Sequence, residues 1–176
     1  LDVYGKLPSL EQVAISADGQ YLAISATDGE QRNVIIERVS DHQMVAAIRA
    51  GASKLRDLQW AGSSHVLLTL SVHSGLGEDI LFGTGEHWGV IDFNLATKKQ
   101  RVLLSDMPGA LNTVGDLPQT RIIDGKPIVY LESYYFSSDE GASGDTVIFR
   151  VDLDKGQTKV VASGMPHARG FLINSA

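Results

Sequence analysis

The chain has 176 residues, with 15 Lys and Arg against 21 Asp and Glu, for a formal net charge of −6. This acidic balance disfavours nucleic acid or an anionic membrane as partner, because phosphate contact needs a basic surface, and no apolar run approaches the roughly 20 residues that span a bilayer. At 43% hydrophobic the chain can bury a core, and without cysteine it has no disulfide scaffold, Cys-ligated zinc, iron–sulfur centre or Cys nucleophile.

Short β-like runs closed by turn residues follow one another along the chain. Residues 12–16 form the first run. Ala17-Asp18-Gly19 turns the chain, since Asp-Gly readily supplies the positive φ of a tight hairpin. Residues 21–25 return, 33–39 follow a loop containing Asp28-Gly29, and 44–48 complete a four-strand meander. The pattern recurs with runs at 55–60, 66–72, 88–95 and 101–104. A third copy has 120–123, 128–136, 146–153 and 158–162. Residues 169–174 then read as a first strand again. No segment sustains an apolar helical stripe with caps. A short helical turn within 105–118 is the one helical element the pattern allows.

Repeated four-stranded meanders indicate an all-β fold: a partial β-propeller of about three four-stranded antiparallel blades plus the first strand of a fourth. Blade one spans about 11–50, blade two about 55–104 and blade three about 118–163. The start of a fourth covers 169–176. The repeat is irregular, at roughly 40–60 residues, as when loop lengths differ between blades. A β-sandwich is the alternative; the matching turns at Asp18-Gly19, Ala61-Gly62 and Asp124-Gly125 favour the propeller.

The segment Leu7-Pro8-Ser9-Leu10-Glu11-Gln12-Val13-Ala14-Ile15-Ser16-Ala17-Asp18-Gly19-Gln20-Tyr21-Leu22-Ala23 resembles the first blade of the N-terminal propeller of the prolyl-oligopeptidase family of serine peptidases, of the dipeptidyl-/acylaminoacyl-peptidase type. Members open with a similar Leu-Pro phrase, then a Ser-Pro-Asp-Gly turn and an Ile/Leu-Ala strand. Here Ala17 stands where the phrase has Pro. The resemblance covers about 25 residues well and the rest only as a strand pattern. TolB-type propellers share the same turn phrase. The resemblance implies a non-catalytic fragment that gates and docks short peptides. Its partner would be a C-terminal α/β-hydrolase domain of the same parent chain, holding a Ser, Asp and His triad. The alternative is a TolB-like or WD-repeat-like propeller that serves as a protein-binding scaffold. The chain opens on Leu1 rather than Met, which fits a processed form or a cut piece, and the compartment stays open.

Chemistry-bearing patterns are weak. A nucleophile elbow needs Gly-x-Ser-x-Gly; Gly141-Ala142-Ser143-Gly144-Asp145 and Gly51-Ala52-Ser53-Lys54-Leu55 both fail at the last position. No catalytic serine is expected here. His65 and His73 share a strand face but lie ~26 Å apart at ~3.3 Å per residue, too far for one metal; they and His42 and His87 read as surface or hydrogen-bonded structural residues. Asp152-Leu153-Asp154-Lys155-Gly156 resembles the start of a calcium loop but lacks the later ligands and reads as a turn. Gly75-Leu76-Gly77 and Gly83-Thr84-Gly85 lack the rest of a phosphate-binding fingerprint. No cofactor and no metal is expected.

A meander alternates its turns between two ends. One end takes the short turns; the other takes the long loops 74–86, 105–117 and 137–144, where binding usually resides. The candidate substrate- or partner-facing residues are Glu78, Asp79 and Glu140 in loops, and Tyr134 and Tyr135 at the end of a strand. Adjacent strand residues face opposite sides, so one ring of that pair is expected between blades. Capture of a peptide amino terminus is the sharper role for the acidic residues, and a solvated loop the plainer one. Three blades also leave apolar flanks uncovered, and self-association through them is expected.

Overall fold

The computed structural model describes residues 10–28, 31–75, 84–136, 144–164 and 170–174. Among the described residues, twelve strands form three separate antiparallel sheets in simple up-and-down order, and there is no helix. Blade one holds β1 (Leu10–Ile15), β2 (Tyr21–Asp28), β3 (Gln31–Arg38) and β4 (Met44–Gly51). Blade two holds β5 (Lys54–Ala61), β6 (His65–Gly75), β7 (Thr84–Asn94) and β8 (Lys99–Val102). Blade three holds β9 (Gln119–Ile123), β10 (Lys126–Tyr135), β11 (Asp145–Asp152) and β12 (Gln157–Ala162). The sheets do not close on themselves; the architecture is a partial propeller, as the turn spacing predicts.

The first strands stand side by side, with β5 touching both β1 and β9. The Ala17 N–H donates to the Gly62 carbonyl at 3.3 Å, and Trp60 Nε1 donates to the Ala14 carbonyl at 3.1 Å. Blades one and two are therefore fastened to each other at backbone carbonyls near their inner strands.

The core lies between the sheets. One apolar layer joins Ala23, Val34, Ile36 and Ile48 of blade one to Leu58, Trp60, Val66, Leu68 and Phe93 of blade two. A second joins Leu67, Val90, Leu103 and Leu104 to Val129, Leu131, Val147, Phe149 and Val151 of blade three. Strand β6 explains the division. Its side chains alternate, so Val66 and Leu68 face blade one while Leu67 faces blade three, and all three are 0% exposed. That is why the sequence there is a continuous apolar run. Each such fully buried side chain contributes about 1.5–3 kcal/mol.

The free flank of blade one is the contrast. By register, Val13 and Ile15 occupy the positions that Leu58 and Trp60 occupy in blade two. Leu58 and Trp60 are 6% and 8% exposed against blade one; Val13 and Ile15 are 52% and 60% exposed.

Two expectations change. Strands β6 and β7 pair as far as Gly75 and Thr84, so residues 74–75 and 84–86 of the expected loop 74–86 belong to strands. Register continues because this two-stranded extension pairs residue for residue without a bulge. The connection at 103–118 forms turns and two isolated bridges, Trp88 with Val114 and Ala110 with Tyr135, and no helical turn. Of the expected opening strand of a fourth blade, residues 170–174 are described and pair in no sheet. They lie along β9, where Gln119 and Arg121 donate to the carbonyls of Phe171 and Ile173, and the Ile173 N–H donates back to Gln119 Oε1 at 2.9 Å.

Candidate functional site

The connection from blade two to blade three runs as a strap across the long-loop end of their junction. Its Val114 N–H donates to the Trp88 carbonyl on β7 at 2.8 Å. Its Leu111 and Gly115 N–H groups donate to the Tyr134 and Glu132 carbonyls on β10, at 3.1 and 3.0 Å. The Ser133 hydroxyl donates to the Thr113 carbonyl from the same strand. Between strap and blades lies an open cavity of about 300 Å³. Trp88, Leu111 and Val114 supply apolar wall, and Glu86, His87, Glu132 and Tyr134 supply polar atoms.

The carboxylates differ in circumstance. Glu86 is neutralised: Arg56 pairs with it, and the Ser71 hydroxyl donates to it at 2.6 Å. Glu132 has no such cation among the described residues. Burial raises its pKa above the usual carboxylate range, the nearby charge of Asp116 adds to that, and the Gly170 N–H acts in the opposite direction. Among the described residues, no Lys or Arg lines the cavity. His87 Nε2 is buried with no hydrogen-bond partner among the described residues.

Blades one and two each carry a corner ion pair that the described residues of the third do not show. In each of these two, the inner strand carries a bulge, at Glu11 in β1 and at Arg56 in β5. Each bulge residue is charged and pairs with an opposite charge on the third strand: Glu11 with Arg32 at 3.0 Å, and Arg56 with Glu86. In blade three the corner holds Asp116 and Glu132, two like charges. A Cβ on Gly115 would meet Glu132 Oε1 at 2.6 Å, so a larger residue there would make the Glu132 carboxylate shift.

The expected site residues divide. Tyr134 lines the cavity and is 45% exposed. Tyr135, one residue on, turns the other way: its ring packs on the core between blades two and three, edge-on to Phe149 at 6.1 Å. Strand alternation sends the Tyr135 ring inward, as expected for one ring of the pair. Glu78, Asp79 and Glu140 lie outside the described residues. Glu132, His87 and Trp88 were not singled out as site residues from the sequence; the usable signal was an acidic residue interrupting the apolar run of β10, Lys126–Tyr135.

Of the other candidates, His42 is exposed and bonded to Glu37 at 2.6 Å. Asp152-Leu153-Asp154-Lys155-Gly156 is a turn, with Asp152 Oδ1 accepting the Lys155 N–H at 3.0 Å. Among the described residues, no three His, Asp or Glu side chains converge as a metal site.

No family model matches this sequence. No curated protein matches it either. Among solved structures, an acylaminoacyl peptidase in complex with Z-Gly-Gly-Phe-chloromethyl ketone is similar over 89% of this chain and 25% of its own, at 12% identity and a TM-score of 0.50. TolB from Acinetobacter baumannii is similar over 86% of this chain and 31% of its own, at 17% identity and a TM-score of 0.45. The tricorn protease is similar over 89% and 23%, at 7% identity and a TM-score of 0.40. The likeness to the acylaminoacyl peptidase shows the fold, that of a propeller region. The chain spans between a quarter and a third of the length of the peptidase and TolB structures.

Proposed function

We propose that this chain is the docking and gating propeller of a prolyl-oligopeptidase-like serine peptidase, and that it receives short peptides in the cavity between blades two and three. One observation carries the reading: a cavity at the long-loop end that combines apolar wall with a carboxylate that has no cation beside it among the described residues. Such a site suits a ligand with an apolar body and a positively charged end. A free peptide amino terminus beside an apolar side chain has that chemistry. Glu132 takes the ammonium, and Trp88 and Leu111 take the side chain. Hydrolysis belongs to a catalytic domain outside these 176 residues. The propeller adds binding and exclusion and no proton transfer of its own.

Trp88 supplies the test. The other tryptophan, Trp60, is 8% exposed and stacked on Tyr21 at 6.2 Å, remote from the ligand. Titration with an apolar tripeptide is expected to change the fluorescence of Trp88, and its N-acetylated counterpart to bind at least tenfold more weakly, since one lost charge-assisted bond costs about 1.5–3 kcal/mol. Equal binding of the two peptides, or a fluorescence change that survives Trp88→Phe, overturns the assignment of the cavity. Absence of any peptide binding favours the protein-scaffold alternative.

A further inference from the structure

His65 opens β6 at the opposite, short-turn end of the same blade junction, and it is 0% exposed. Its Nδ1 lies 2.7 Å from Asp92 Oδ1 on β7. A carboxylate only accepts, so this nitrogen is the donor. The other nitrogen, Nε2, has two neighbours of opposite kind. Asp154 Oδ1, in the turn between β11 and β12, lies at 3.2 Å. Asn94 Nδ2, on β7, also lies at 3.2 Å. The orientation of the Asn94 amide is set by its oxygen, which accepts the Thr97 N–H at 2.9 Å and so turns the NH2 group to the imidazole.

The two neighbours want different states of the ring. With a proton, Nε2 donates to Asp154 and ties blade two to blade three. Without one, Nε2 accepts from Asn94 and the bond stays within blade two. We propose that His65 is a proton-operated latch between the second and third blades, exchanging an inter-blade partner for an intra-blade one when Nε2 loses its proton.

The surrounding charges support the exchange. Asp92 holds Arg101 Nε at 3.1 Å with its second oxygen, so its position does not depend on the proton. Arg101 also donates to the Leu153 carbonyl at 3.1 Å, a tie between the blades that persists in both states. The other carboxylate at that turn, Asp152, is engaged by the Lys155 N–H. Burial alone lowers the pKa of His65; its bonds to Asp92 and then Asp154 outweigh this, and the net direction is up from the ordinary 6.5. A raised value means that the latch contributes fully below the ordinary value. The contribution is lost as pH rises through the elevated one. The junction then loosens at this end and keeps its Arg101 tie.

The experiment is a titration of the imidazole nitrogens of His65 by NMR in the full chain, with Asp154→Asn and Asn94→Ala. Asp154 is 48% exposed, so its substitution spares the core. Nε2 is expected to deprotonate while Nδ1 keeps its hydrogen. Asp154→Asn should move that step to lower pH, and Asn94→Ala, which removes the competing donor, to higher pH. The wild-type melting midpoint should fall by about 3 °C more than that of Asp154→Asn between about pH 5 and about pH 8. A titration unchanged in Asp154→Asn, or an Nδ1 that deprotonates first, overturns the latch.

Discussion

The side-chain amide of Gln12 on β1 donates to the backbone carbonyl of Arg56 on β5, 3.3 Å away. The relation repeats down the chain. Gln59 on β5 donates to the Pro118 carbonyl at 3.1 Å, and Gln119 on β9 donates to that of Phe171. Each inner strand therefore reaches forward to the start of the next repeat. The bonds of Gln12 and Gln59 run forward, and at Gln119 the Ile173 N–H also donates back to the side-chain oxygen at 2.9 Å.

The Glu11–Arg32 pair is the most enclosed of the corner ion pairs. Arg32 is 7% exposed and also donates to the Ser53 carbonyl at 3.1 Å. Arg32→Ala leaves the partly buried Glu11 carboxylate without its cation and is expected to cost about 3 kcal/mol by urea unfolding. The exposed Arg38–Asp41 pair, 2.8 Å apart, gives the control. Arg38→Ala should leave the unfolding midpoint within error, because solvent screens that pair.

Gly109 has a φ of +82°, and a Cβ placed there would lie 2.4 Å from the Phe136 carbonyl oxygen. The same residue accepts the Phe136 N–H at 2.8 Å, so the strap cannot move away without losing a bond. Gly109→Ala is expected to destabilise by about 2 kcal/mol or more. Gly125→Ala, with a similar φ but open space around it, should cost less. Denaturant curves of the two variants make the comparison.

Glu132 carries a pH signature of its own. Its raised pKa means that the folded chain favours the protonated acid, so stability is greatest below the ordinary 4.5 and falls as pH rises through the elevated value. Glu132→Gln should therefore melt above wild type at neutral pH, with the gap closing as pH drops below 4.5. Peptide binding should change in the opposite sense, weakening in the same variant. A loss of stability in Glu132→Gln at neutral pH would contradict this account of the carboxylate.

The uncovered flank of blade one should drive association of the isolated chain. Val13→Lys with Ile15→Lys places two charges on residues already 52% and 60% exposed. Analytical ultracentrifugation is expected to show concentration-dependent association in wild type and its loss in the double variant. The melting midpoint should barely change, because neither side chain packs in the inter-blade layers.

The blades were legible because their signals are local. Asp18-Gly19 and Asp124-Gly125 turn where two-residue period and turn chemistry say they should, with Gly19 and Gly125 at φ of 71° and 74°. The alternation at Tyr134 and Tyr135 was readable for the same reason. The partners of His65 were not. Asp154 lies 89 residues away in sequence, and only the packing of two sheets brings it to the ring. The cavity was hidden likewise, since it takes side chains from two blades and from a strap that no repeat pattern describes. The bulges at Glu11 and Arg56 left no mark in composition, yet they carry the two corner ion pairs, for which the described residues of blade three show no counterpart.

The forward-reaching glutamines also bear on how the chain assembles during synthesis. Gln12 must wait 44 residues for its acceptor, and Gln59 must wait 59. A newly made blade can close its own hairpins at once, but it stays unfastened until the opening strand of the following one leaves the ribosome. Growth from the amino end thus proceeds in steps, with each sheet secured by polypeptide that did not exist when it folded.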